Sequence, residues 1–168
     1  MPTLNLVLPL MNERIVINTS PLIALGKMQA FDVIEQLPYE FCCLPQVEVE
    51  LLNGAALGHP VTLPAWVDVL PLQAPLTPFA SIALDDGEAA VIQLALEQQL
   101  TRVCIDESKG RRAALSVGLQ VVGSLGLLGK AKTVGLITAV RPFIEQAQQS
   151  GFSYNTNLIA AFLQALGE

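Results

Sequence analysis

Apolar and polar positions fall in blocks along this chain. Arg14-Ile15-Val16-Ile17-Asn18 is a short β-branched run that stops at a polar residue, which predicts a strand buried on both faces. Thr19-Ser20-Pro21 then switches the chain. Ser20 suits an N-cap and Pro21 a first helical position, and the apolar spacing from Leu22 to Ile34 is helical. Tyr39 to Leu44 predicts a second strand. Pro45 opens a helix over Gln46–Leu52, with Asn53-Gly54 as its stop. Residues 53–80 are rich in Pro and Gly, with a short strand at Trp66–Leu70. Asp85-Asp86-Gly87-Glu88 opens a long helix to about Gln99. Arg102–Asp106 reads as a strand, Lys109–Val117 as a helix and Leu119–Val122 as a strand, and Ser124 caps the helix that follows. Thr138–Gln149 and Thr156–Leu166 are the last two helices.

Strands alternate with helices nearly throughout, and the strands are solidly apolar. That is the pattern of an α/β fold with a parallel sheet covered on both faces. A chain of 168 residues has room for one domain, and no repeat or linker divides residues 1–168. In open parallel sheets the functional crevice lies at the carboxyl ends of the strands. The informative residues are therefore Asn18-Thr19-Ser20, the start of the Pro45 helix, the 85–88 turn and Asp106-Glu107-Ser108.

Composition narrows the classes. The chain is 52% hydrophobic and 14% charged, which excludes disorder, and 5% aromatic, which makes the core aliphatic. A net charge of −6 excludes a polycation that coats nucleic acid. The charge is uneven: residues 1–101 hold two basic and eleven acidic groups, residues 102–168 seven basic and four acidic. Cys42, Cys43 and Cys104 are too few and badly spaced for a zinc site, and are expected as reduced core thiols. His59, in a Gly-His-Pro loop, is an ordinary loop residue in this reading. No targeting segment and no membrane span are expected, so the expected location is cytoplasmic.

Glu50, Glu88, and Asp106 with Glu107, are the candidate carboxylates, and Asn18 ends the first strand where a fourth could sit. A cluster of carboxylates is tolerated when a hard divalent cation neutralises it, and Mg²⁺ or Mn²⁺ takes oxygen ligands of this kind. Such a site can activate water and stabilise an in-line phosphoryl transition state. Each residue also has a structural reading. Asp85 and Glu88 fit a capping box, Glu50 an exposed helix position beside Glu48, and Asp106 a cap for the helix after it.

Four segments, in order, resemble the PIN-domain family. Val16-Ile17-Asn18-Thr19-Ser20-Pro21-Leu22-Ile23-Ala24-Leu25 is similar to its opening strand–turn–helix. Leu44-Pro45-Gln46-Val47-Glu48-Val49-Glu50-Leu51 resembles its second acidic motif, Leu84-Asp85-Asp86-Gly87-Glu88-Ala89-Ala90-Val91-Ile92 its third, and Ile105-Asp106-Glu107-Ser108-Lys109-Gly110-Arg111-Arg112-Ala113-Ala114 its fourth. Val122-Gly123-Ser124-Leu125-Gly126-Leu127-Leu128 and the tail to Glu168 also fit, so the resemblance covers about residues 14–168. It is closest to a poorly characterised bacterial and archaeal branch related to the toxins of toxin–antitoxin pairs.

The resemblance implies a three-layer α/β/α sandwich with a central parallel sheet. It also implies a Mg²⁺- or Mn²⁺-dependent ribonuclease that hydrolyses phosphodiester bonds, with RNA and an antitoxin protein as partners; the low charge and high apolar content favour self-association, and a homodimer is expected. Carried over by position, Glu50, Glu88 and Asp106 are catalytic, and Asn18, Glu88, Asp106 and Glu107 hold the metal. Asn18 stands where active members usually have Asp, and a neutral amide attracts a cation less than a carboxylate does. The alternative is thus a catalytically weakened module that binds nucleic acid or protein without cutting; a plain dimerisation domain is a third option.

Ser20, Lys109, Arg111 and Arg112 are the candidate nucleic-acid contacts, with Arg102, Lys130 and Lys132 as further cations; a solvated helix face is the structural alternative. No aromatic platform for single strands is visible, and Trp66 and Tyr39 read as core or rim. Gly-Leu-Leu-Gly-Lys at 126–130 fails as a phosphate loop: Ser124 stands where that loop needs Gly, and Ala131 where it needs Ser or Thr.

Overall fold

The computed structural model describes residues 12–58, 60–77 and 84–168; His59 lies outside them. Among the described residues, five strands form one parallel sheet: β1 Glu13–Ile17, β2 Tyr39–Cys43, β3 Val67–Val69, β4 Arg102–Cys104 and β5 Gln120–Val122, in the order β3-β2-β1-β4-β5. Ile15, Val16 and Ile17 are all fully buried although successive side chains point to opposite faces, so both faces of β1 are covered. Val16 pairs with Cys42 on one side and Val103 on the other.

Among the described residues, eight helices cover the sheet: α1 Thr19–Lys27, α2 Phe31–Ile34, α3 Pro45–Ala56, α4 Asp86–Glu97, α5 Ser108–Ser116, α6 Ser124–Thr133, α7 Arg141–Gln149 and α8 Thr156–Ala165. The strongest helix–helix packing falls into two sets. Helix α1 packs on α3, α6 and α7, and α2 on α6, while α4 packs on α5. This is a three-layer α/β/α sandwich, as expected. Its core is aliphatic, with Leu22, Leu25, Leu94, Ile105, Leu127 and Leu128 among the fully buried side chains.

Several element ends differ from the sequence reading. Asn18, not Ser20, is the N-cap of α1, and its side chain makes no capping bond; Pro21 still falls in the first turn, where its missing N–H costs nothing. The apolar stretch to Ile34 is two helices, because Gln29 takes a left-handed φ of 53° between α1 and α2. Helix α3 runs through Asn53-Gly54 and stops only where Gly58 supplies a φ of 88°. Ser124 is the first residue of α6, after an N-cap at Gly123.

Helices α6 and α7 are capped from far along the chain. The Asp106 carboxylate takes the Ser124 N–H at the start of α6. The Glu168 carboxylate takes the N–H groups of Val140 and Arg141 at the start of α7. Each satisfies donors that a helix start leaves open and places a negative charge where the helix dipole favours it.

The cysteines are free and buried. Burial pushes the Cys42 thiol up to about 11 and the Cys43 thiol up to about 12. They are packing groups, as expected, not nucleophiles. Trp66 packs edge-on against Phe31 and Phe41, and Tyr39 against Phe41, so both belong to the core and its rim. Among the described residues no helix is long and apolar enough to cross a membrane.

Candidate active site

From β1 the chain steps outward to β2 and β3, and later returns to lay β4 on the other side of β1. The carboxyl ends of β1 and β4 therefore flank the point where the order reverses, the usual ligand crevice of such sheets. The Asn18 N–H donates to the Cys104 carbonyl at 3.1 Å, which ties the two strand ends together. A cavity of about 280 Å³ opens there, lined by Asn18, Thr19, Ser20, Glu50, Asp85, Gly87, Glu88 and Glu107.

Four elements supply these side chains. Asn18 follows β1 and is 8% exposed, with its amide left over from capping. Glu50 stands on α3, and its Oε2 accepts the Thr19 hydroxyl. Glu88 stands in the first turn of α4. Its N–H is held by the Asp85 carboxylate at 2.7 Å, one half of the expected capping box, and the residue is only 4% exposed. Glu107 is the N-cap of α5 and accepts from the Ser20 hydroxyl at 3.5 Å.

Glu88 sits under α5 because Gly110 has no side chain. A Cβ at Gly110 would lie 3.0 Å from Glu88 Oε1. Burial pushes the Glu88 carboxyl above the ordinary carboxylate range. The charges of Asp85 and Glu107 push it further, and Lys109 and the Asp85 backbone N–H pull it partly back. A buried carboxylate under repulsion from its neighbours is what a cation would relieve.

Asp106 and Glu107 are consecutive but face different cavities. Asp106 Oδ1 accepts the Ser124 N–H and Oδ2 the Ser124 hydroxyl, both at 2.7 Å. The Tyr154 hydroxyl lies 2.6 Å from Ser124 Oγ and donates to it, because the Ser124 proton is committed to Asp106. Asp106 thus caps α6, not the α5 helix that follows it in sequence. It lines a second cavity with Arg111 and Tyr154.

The cations are dispersed. Lys109 is the one that acts on Glu88. Arg111 donates to the Ile105 carbonyl at 2.9 Å beside the second cavity, and Arg112 is exposed. Arg102, a further candidate cation in the sequence reading, starts β4 at the opposite edge, where it pairs with Glu13 at 3.3 Å. Lys132 is engaged by Glu168 at 3.1 Å, leaving Lys130 exposed on the same helix.

The sequence reading put Thr19 at this crevice without giving it a role, and brought neither Ser124 nor Tyr154 to this region. Thr19 and Ser124 carry a usable signal, a hydroxyl within two residues of a strand's carboxyl end. Tyr154 carries none, since only tertiary packing brings it to Ser124.

A family model described as a PIN domain matches residues 14–168. The chain belongs to the PIN-domain family. A comparison with curated proteins finds no significant match. The PIN domain is a nuclease-type fold, and this one carries its acidic residues at the edge where such a fold holds its ligand. The donors at that edge are carboxylate and amide oxygens, which suit a hard divalent cation and not a soft one. Among the described residues no three His, Cys, Asp or Glu side chains lie close enough to enclose an ion by themselves. Mg²⁺ does not require that, because it keeps several waters and is held through one or two carboxylates.

Proposed function

We propose that this PIN-domain protein is a Mg²⁺- or Mn²⁺-dependent ribonuclease that hydrolyses RNA phosphodiester bonds. The observation that carries the reading is the convergence of Glu50, Glu88 and Glu107 with Asn18 on one cavity at the sheet's switch point. Glu88 and Glu107 would hold the cation, with the Asn18 amide oxygen and water completing its shell. A bound divalent ion supplies a nucleophile at neutral pH and offsets charge on the phosphodiester. Thr19 orients the Glu50 carboxylate, which stands ready to accept a proton from water. Lys109 offers a phosphate contact next to Glu88.

The test is cleavage of a mixed RNA pool with Mn²⁺ or Mg²⁺, comparing the wild type with Glu88→Gln and Glu107→Gln. Metal-dependent cleavage lost in both variants is the expected result. Equal activity in all three, or none in the wild type, overturns it.

Asn18 and Asp106 favour a second reading, a weakened module that binds without cutting. The first-strand ligand is a neutral amide, and both Asp106 oxygens are committed to Ser124. RNA binding with no cleavage at any metal concentration is the expected result for that reading. A homodimer or an antitoxin-like partner in the cytoplasm belongs to the same proposal. Exposed Val49, Leu52 and Leu57 on and just after α3 support an apolar contact surface. Light scattering on the isolated chain separates dimer from monomer.

A further inference from the structure

We infer that the second cavity, on the Asp106 side of the Asp106–Glu107 step, takes one unstacked nucleotide of the RNA strand whose phosphodiester enters the acidic cavity. The inference rests on the ribonuclease reading and names the substrate contact beside its site. The cavity holds about 450 Å³, within the roughly 300–1,000 Å³ of small-molecule pockets. Val121, Leu125, Leu158 and the rings of Tyr154 and Phe162 form apolar walls, and Arg111 and Ser108 bring polar groups. A nucleotide has the matching chemistry: a flat ring with an apolar face, and an anionic phosphate.

Arg111 is the anion partner. Its one hydrogen bond among the described residues runs from Nη1 to the Ile105 carbonyl, and no carboxylate there lies within ion-pair distance. The nearby Asp106 is committed to Ser124 through both oxygens, so its charge is already engaged. A guanidinium has five N–H donors in a planar fork suited to phosphate, and most of this fork is unspent. Gly123 keeps the approach open, since a Cβ there would lie 2.9 Å from Arg111 Nη1. The two cavities are lined by consecutive residues, Asp106 on one and Glu107 on the other, whose Cα atoms are about 3.8 Å apart. A strand seated with one base in the second cavity thus runs its neighbouring phosphate past Glu107.

The experiment uses the intact chain, a 5′-fluorescein single-stranded RNA of mixed sequence, and EDTA to prevent cleavage. Leu158 is 53% exposed at the cavity rim, so Leu158→Glu places a negative charge there without disturbing the core. Arg111→Gln removes the cation. Leu96→Glu, at the far end of α4, is the control, and thermal melts verify folding. Weakening of about tenfold or more is expected in both cavity variants, the scale of a lost base–aromatic stack. In the wild type, 4-thiouridine RNA is expected to photocrosslink within residues 154–162. Wild-type affinity in folded Leu158→Glu with crosslinks elsewhere overturns the inference and leaves the ribonuclease reading standing. A wild type that neither binds nor cleaves RNA overturns that reading, and this inference with it.

Discussion

Asp106 and Ser124 are joined twice, by the Ser124 N–H to Oδ1 and the Ser124 hydroxyl to Oδ2, each at 2.7 Å. The pair fastens the carboxyl end of β4 to the first residue of α6 and fixes which way the carboxylate faces. Ser124 is fully buried, so its hydroxyl bond is shielded from water. Hydrogen bonds to a charged acceptor contribute roughly 1.5–3 kcal/mol. Ser124→Ala is therefore expected to cost about 2 kcal/mol, seen as a Tm lower by roughly 4–8 °C. Tyr154→Phe, which removes only the outer link, is expected to cost about 1 kcal/mol. The double variant should lose less than the sum, because the links share Ser124. An unchanged melt in Ser124→Ala would show that the pair does not hold the fold.

Glu88 carries the opposite energetics. Its carboxyl is raised by burial and by the charges of Asp85 and Glu107. A raised acid binds its proton more tightly in the folded state than in the unfolded one, so stability falls as pH rises between the two values. Glu88→Gln removes that cost. The variant is expected to melt higher than the wild type at pH 7 in EDTA, and the advantage should vanish once pH falls below the ordinary value of 4.5. Loss of function with a gain in stability marks a residue kept for its site. A lower melt at pH 7 would assign Glu88 a structural role instead.

Much of this was legible in the block pattern of the chain. The strands needed only short runs rich in apolar residues, and the rule that parallel sheets bind ligand at their carboxyl ends pointed to the right edge, while the convergence of the carboxylates there was implied by the PIN-domain resemblance. Asn18, Glu50, Glu88 and Glu107 reach that cavity from four separate elements, each near a strand end or in an early helical turn. What was not legible depends on packing between distant segments. The Asp106 side chain has two neighbouring cavities to face, and Ser124 and Tyr154, 18 and 48 residues on, decide between them. Helix ends failed for a related reason. Asn53-Gly54 is a good stop locally, but α3 continues to a glycine that takes the left-handed turn.

Asn18 is the position where one atom changes the electrostatics most. Asn18→Asp adds a carboxylate beside Glu50, Glu88 and Glu107, so the apo protein is expected to melt lower. With Mn²⁺ the order should reverse. A unit charge about 4 Å from a cation is worth roughly 4 kcal/mol per charge pair at an effective dielectric of 20, before desolvation. A third of that, about 1.4 kcal/mol, is tenfold in affinity. Calorimetric titration with Mn²⁺ is expected to show at least about that gain. Equal affinities in the two proteins would place the ion away from β1.

Gly110 tests the seating of Glu88 from the other side. Alanine in a helix interior is normally favoured over glycine by about 1 kcal/mol. Here the new Cβ would meet Glu88 Oε1 at 3.0 Å and Ile105 Cγ2 at 3.1 Å. Overpacking of this kind costs about 1–3 kcal/mol. Gly110→Ala is therefore expected to be neutral or destabilising, and to weaken Mn²⁺ binding by moving Glu88. A higher melt with unchanged Mn²⁺ affinity would mean that α5 yields easily and that the glycine does not seat the carboxylate.

Glu168 closes the far end of the fold and gives it an acid limit. Burial raises its carboxyl, but the N–H groups of Val140 and Arg141 and the Lys132 ammonium outweigh that and leave it below the ordinary value. A lowered acid contributes stability above its unfolded value of 4.5, and the contribution is lost as pH falls through the folded value. Glu168→Gln keeps an oxygen for one N–H but gives up the ion pair at 3.1 Å. It is expected to lower stability by about 1 kcal/mol at pH 7 and to match the wild type at a second, acid pH below the folded value. Melts at the two pH values check this. A deficit that persists in acid would trace the loss to packing of α7 against the chain end, not to the charge on Glu168.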